Sequence, residues 1–227
     1  MSLSIVFNIW KIYLILSYIK SIKNKQKITM TEPFEQQWND HFPNKVPIPY
    51  VFKFYFSESW FRIHSLPESK RYADTQNEEL LLLDRQNQII TDCFGLHTAV
   101  YLVTGNHIIP GYCIVEADSR EIISYNLIEA PSINPHQIDP EYFDDSDEND
   151  GCFMPLYAQV IWEPKKHDDL LLKIANDEIK AFLISFEKNI IVAPYDGGID
   201  FIIHDEALKQ HLKEKYKDWL SPREDGL

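Results

Sequence analysis

Apolar residues recur along this chain with two different spacings, and each spacing implies a kind of element. Phe34, Trp38 and Phe42 fall every four positions, which predicts a short helix with one buried stripe, ending near Pro43. Over 77–94, residues Leu82, Leu83, Ile89, Ile90, Cys93 and Phe94 gather on one side of a longer helix, and Gly95 stops it. The same period predicts a helix over 168–179, with Leu170, Leu171, Ile174 and Ala175 inward. A last helix is expected over 206–220 behind an Asp205 cap, turning Leu208, Leu212, Tyr216 and Trp219 to the core. Alternation of period two marks 60–65, where Phe61 and Ile63 face one way and Trp60, Arg62 and His64 the other.

Strands are also expected over 98–104 and 111–115, around a turn near Asn106, and over 121–128 and 153–162. The aromatic stretch 46–56, with Pro47 and Pro49, reads as an irregular lead-in followed by extended chain. Residues 131–151, rich in proline and acid, read as a loop. Near the C-terminus, apolar runs at 181–186, 189–195 and 199–203 surround Asp196-Gly197-Gly198, whose residues tolerate the positive φ of tight hairpin turns. The resulting order predicts an α+β fold: a single domain with a mainly antiparallel sheet covered by helices, closing in a C-terminal hairpin plus helix. At 227 residues the chain is long enough to bury roughly 70% of its unfolded surface.

Residues 1–29 differ from the rest. They are apolar over 3–19 and carry five lysines and no acids. Lys11 sits in the middle of the apolar run, where a charge costs about 2.5 to 3.5 kcal/mol on insertion scales. Three readings stand: a single-pass or interfacial anchor, a helix packed on the body, or sequence translated ahead of a start at Met30. The last is preferred because Met30-Thr31-Glu32-Pro33 resembles a capped helix start. The expected organisation is an extension over 1–29 and one domain over 30–227, with membrane contact only if the extension is native and acts as an anchor.

Charge and composition narrow the function classes. The whole chain has a formal net charge of −13, and setting aside the five lysines of 1–29 leaves −18 for the remainder. Such a body repels nucleic acid and attracts a basic partner. Cys93, Cys113 and Cys152 are odd in number and form no C-x-x-C pair, which suits free thiols in a reducing cytoplasm. No glycine-rich phosphate loop, G-x-S-x-G, H-E-x-x-H or cysteine cluster occurs, so no cofactor or metal is expected. The acidic stretch 139–150 resembles a calcium loop, but its register fails, because Asp150 stands where the loop needs glycine and Leu156 where it needs glutamate.

At Trp60-Phe-Arg-Ile-His-Ser-Leu-Pro-Glu-Ser-Lys-Arg-Tyr, and from Pro194-Tyr-Asp-Gly-Gly-Ile-Asp-Phe-Ile through Tyr216-Lys-Asp-Trp-Leu220, the chain resembles a bacterial family, domain of unknown function 3885. Its members share an Arg-Phe-Glu-like strand before a long helix, a Tyr-Asp-Asp-Arg-Gly-x-Asp-Val hairpin and a closing helix ending in Tyr-x-x-Trp-Leu. Here the strand reads Arg62-Ile63-His64, and the turn lacks the extra Asp-Arg pair. The resemblance implies a single domain starting near Met30 in a bacterial cytoplasm, and no activity.

Candidate binding residues are Arg62, His64, Glu68, Lys70 and Arg71 on the strand and loop, with Asp196 and Asp200 at the hairpin. Arginine forks and loop donors suit carboxylate and phosphate. The plainer reading has Arg62 paired with Asp196 or Asp200, locking the sheet. Asp196 is expected to bond its own turn, and Asp200 to meet a cation on a neighbouring element. Asp200 and His204 cannot form a direct dyad, since four strand residues span about 13 Å. The chain is therefore expected to be a non-enzymatic acidic interaction module, of the immunity kind that neutralises a basic protein. The alternative is a small-molecule enzyme with its site near Arg62/His64 and Asp196/Asp200.

Overall fold

The computed structural model describes residues 32–108, 122, 124–143, 151–221 and 223. The 1–31 segment with its apolar run and Thr31 cap, the strand expected at 111–115, Cys113 and the acidic positions 144–150 lie outside the described residues.

Seven strands pair antiparallel throughout, in the order β1-β7-β6-β5-β2-β4-β3. They are β1 (Trp60–His64), β2 (Thr98–Ile108), β3 (Ile128–Glu129), β4 (Cys152–Trp162), β5 (Phe182–Ser185), β6 (Ile190–Tyr195) and β7 (Gly198–Ile203). The helices are α1 (Phe34–His41), α2 (Phe52–Tyr55), α3 (Gln76–Phe94), α4 (Pro135–Ile138), α5 (Asp168–Ala175) and α6 (Glu206–Lys215). This is the α+β architecture that the periodicities imply.

Both faces of the sheet are covered, which explains why β7 is buried at every position instead of alternating. One face packs Phe61, Ile63, Leu102, Val192 and Phe201 against Ile89, Ile90 and Phe94 of α3, Leu170 and Ile174 of α5, and Leu212 of α6. The other packs Val103, Phe182, Ile184 and Ile202 under Phe34 and Trp38 of α1, together with Phe42, Phe52 and Phe56. Phe52 meets Phe182 edge-on at 5.1 Å, and Trp38 meets Phe42 at 4.8 Å, separations typical of favourable ring pairs. Caps hold the long helices in place. The Thr75 hydroxyl accepts from the Glu78 amide at the start of α3, and the Asp205 carboxylate accepts from the Leu208 amide at the start of α6.

Several boundaries depart from expectation. The stretch 46–56 is not extended, because Pro49 opens a 3-10 turn (Pro49–Val51) that runs into α2 and so turns Val51, Phe52 and Phe56 inward. Strand β2 does not turn near Asn106; it continues to Ile108, pairing with β4 from Thr98↔Trp162 to Ile108↔Cys152. Gly105 stands inside it because the Phe153 ring lies where a Cβ would be. Among the described residues of 121–128 only Ile128 is strand, in Ile128–Glu129 against Tyr157 and Leu156. The proline-rich loop contains a β-bridge, Ile133 to Phe153, and the short helix α4 capped by Asn134. Helix α5 stops at Ala175, with Asp177 in the left-handed region just beyond, and α6 gives way to a 3-10 turn, Lys217–Trp219.

The Asp-Gly-Gly turn is a two-residue connection between the paired Tyr195 and Gly198, yet neither glycine occupies the left-handed region. Their purpose is clearance. A Cβ on Gly198 would collide with the Ile63 carbonyl oxygen and come within 3.2 Å of His64 Cα, so the glycine lets β1 close on β7. The outer edge of β1 is protected in turn by a bridge from Ile63 to Leu220.

Candidate ligand-binding cavity

Alternation on β1 and β7 places Arg62 and Asp200 directly opposite each other on the α1/α2 face of the sheet. The guanidinium grips the carboxylate with two bonds, Nε to Oδ1 at 2.6 Å and Nη2 to Oδ2 at 2.9 Å. The same guanidinium lies 4.5 Å above the Tyr195 ring of β6. Burial opposes the Arg62 charge, and the Asp200 carboxylate more than offsets it, so the Arg62 pKa is raised. Tyr195, half-buried beside this pair, has its phenol pKa pushed well up by desolvation.

The aromatic core of this face stops short of the Arg62–Asp200 pair. Beyond it the sheet presents Gly105 and Ala193, residues too small to fill the layer, and a cavity of about 270 Å³ results. Ile48, Pro49, Phe153, Ala193 and Pro194 supply apolar lining, while Tyr50, Lys53, His107, Lys180 and Tyr195 join Arg62 and Asp200 around it. The Thr104 hydroxyl, also at this cavity, donates to the Lys180 carbonyl at 2.7 Å and ties β2 to the approach of β5.

The structure divides the residues singled out from the sequence. Arg62 and Asp200 meet as the plainer reading anticipates and face the cavity. His64 and Glu68 line a separate depression with Ser69, Arg85 and Trp219. Burial lowers the His64 pKa; the Gly197 carbonyl opposes that shift and the Arg62 charge adds to it. Lys70 belongs to neither hollow; it pairs with Asp74 at 2.8 Å and Glu78 at 2.6 Å, bracing the start of α3. Asp196 does not bond its own turn. Its carboxylate instead accepts from the Arg71 guanidinium and, at 2.8 Å, from the Tyr72 hydroxyl, because the loop after β1 folds back over the hairpin. His204 accepts or donates a bond at Ser59 Oγ, 3.1 Å away, and stacks near Phe42, apart from Asp200.

Lys53, Gly105, His107, Lys180 and Tyr195 were not singled out by motif. One signal was present in the chain: a glycine inside an otherwise strand-forming run, which marks a place where something else approaches the backbone. Cys93 is a free thiol, and burial raises its pKa far out of the reactive range. Among the described residues no three His, Cys, Asp or Glu side chains converge to hold a metal ion, and no helix is long and apolar enough to cross a membrane.

A sheet covered on both faces, with a mostly apolar hollow beside a bidentate ion pair, defines an α+β domain. The chain belongs to the family described as domain of unknown function 3885, whose model matches residues 48–224. No curated protein and no solved structure matches it.

Proposed function

We propose that this domain is a non-catalytic binding module whose cavity beside Arg62 and Asp200 holds a small molecule. The observation that carries the reading is the cavity itself: about 270 Å³ of mostly apolar lining with a few convergent polar groups. Binding is favoured over the alternative of catalysis because Asp200, the one carboxylate in the lining among the described residues, is committed to Arg62 through both oxygens. A carboxylate held by a guanidinium is a poor general base, because taking up a proton would cost it the ion pair. His64 supports the same preference, since it lines the other hollow.

Native mass spectrometry of protein purified from expressing cells tests the reading. A small-molecule adduct is expected on the natural chain and not on Ala193→Leu, which fills the hollow. Identical adduct-free spectra for both, with no small molecule released on denaturation, would discard it.

A second reading, that the domain recognises a basic protein as immunity proteins do, is supported by the net charge of −18 outside residues 1–29, whole-chain −13 less five lysines. It expects a basic partner to co-purify at low salt and to dissociate as ionic strength passes about 0.1 M, where screening reaches ~10 Å. Recovery of the protein alone at low salt would end it. A bacterial cytoplasmic setting belongs to both readings. The resemblance to the family supports it, as does Cys93 standing as a free thiol.

A further inference from the structure

The electrostatics of the cavity run against those of the domain. Three cationic side chains, Lys53, Arg62 and Lys180, line it, and its one carboxylate is neutralised by Arg62. Lys180 is paired with Asp177 outside the lining. Lys53 has no ion-pair partner among the described residues, and its ammonium rests 4.8 Å over the Phe54 ring. An unpaired cation is unremarkable on a neutral surface. In a body carrying −18, by the same subtraction as above, an excess of positive charge confined to a mostly apolar hollow is a selective feature.

The remaining lining limits the size and shape of a guest. About 270 Å³ holds about nine waters at ~30 Å³ each, or a single ring with a short side chain. Phe153, Tyr195 and Tyr50 contribute aromatic rings to the lining, and Ala193 with Pro194 contributes small apolar surface. The Tyr195 hydroxyl has no hydrogen-bond partner among the described residues. Burial holds it protonated, so it is available as a donor.

We propose that the ligand is a small organic monoanion with a planar apolar body, an aryl carboxylate, whose ring occupies the apolar part of the hollow and whose carboxylate is answered by Lys53 and the Tyr195 hydroxyl. This rests on the cavity being a ligand site. The potential of the acidic body disfavours any bound anion, so affinity is expected to rise with salt at low ionic strength, until screening of Lys53 reverses the trend.

Isothermal titration with three probes of one shape tests the ligand class: phenylacetate, the neutral phenylacetamide and the cationic phenethylamine. Phenylacetate is expected to bind about tenfold tighter than phenylacetamide, and phenethylamine weakest of all. Lys53→Gln should reduce the phenylacetate affinity and leave phenylacetamide unchanged, while Ala193→Leu should remove both. A thermal melt of each variant checks folding, and Lys53, exposed to solvent on one side, can change without loss of core. Equal binding of the acid and the amide, or preference for the amine, would overturn the ligand class and leave the cavity as a site. No heat from any probe at millimolar concentration, with Ala193→Leu titrating like the natural chain, would overturn both.

Discussion

Arg62 holds a full charge on a half-buried strand face, and that is tolerable only because Asp200 meets it with both oxygens. Taking two charges from water is costly, and removing one partner leaves the other uncompensated. Asp200→Asn is therefore expected to lower the unfolding free energy by about 3 kcal/mol, read as a drop in the urea midpoint. Replacing both, as Arg62→Met with Asp200→Leu, should recover most of the loss, since an apolar pair of similar volume carries no desolvation debt. If the double variant is as unstable as the single, the pair is not the cause. Two imidazoles on the same side of the sheet supply a pH dependence. Burial lowers the pKa of both His64 and His204 below the 6.5 of an unfolded histidine; Arg62 adds to the effect at His64, and Lys209 at His204. In the window just below 6.5 the unfolded chain thus binds more protons than the folded one, so stability is complete above that pH and is lost as pH falls through the folded values. Urea midpoints should decline between pH 7 and about pH 5.5, and the decline should flatten in His64→Gln/His204→Gln. An unchanged slope in that variant would assign the effect to other groups.

The hairpin β6–β7 and its neighbour β1 show how an element can be legible while its reason is not. The run of apolar residues around Asp196-Gly197-Gly198 announces two strands and a tight turn, and the register Tyr195↔Gly198 agrees. The glycines suggest positive φ from local chemistry, but what they supply is room for β1, a strand more than a hundred residues earlier. Non-local contact is invisible to a local rule. The same limit hid Gly105, whose missing side chain makes sense only beside Phe153 on β4, and it concealed the cavity, since small residues on β2 and β6 come together only in the folded sheet. Arg62 and Asp200 were readable because alternation puts each on a known face and a charge so placed needs an opposite charge. Arg71 and Asp196 were not readable as a pair, because the loop between β1 and α3 carries two residues in the left-handed region, Glu68 and Ser69, which redirect it over the turn. Gly198→Ala drives a methyl into the Ile63 backbone and should cost about 3 kcal/mol. Gly197→Ala meets only the Tyr195 ring edge at 2.8 Å, a side chain able to move, and should cost about 1 kcal/mol. Equal costs in thermal melts would show that turn conformation, not the approach of β1, governs the site.

Across the whole molecule, the extent of the fold and the extent of the family match do not coincide. The family model begins at residue 48, whereas one compact unit runs Phe34–Leu227. The difference matters because Phe34, Trp38, Phe42 and Val46 are each at most 4% exposed and form the lid of the α1/α2 face. Burying a large apolar side chain contributes about 1.5 to 3 kcal/mol, so removing these four subtracts an amount comparable to the entire net stability of an ordinary domain. The cavity depends on the same layer, because Pro47, Ile48 and Pro49, which continue directly from it, form one wall. A chain beginning at Met30 is therefore expected to melt cooperatively, whatever residues 1–29 do. A chain beginning at Ile48, although it spans the matched region, is expected to bind hydrophobic dyes and lose its sharp transition. Calorimetry of the two truncations decides the matter: a cooperative transition of similar midpoint in the shorter chain would mean that the aromatic lid is an accessory to the sheet and that the binding face is built from residues 48–224 alone.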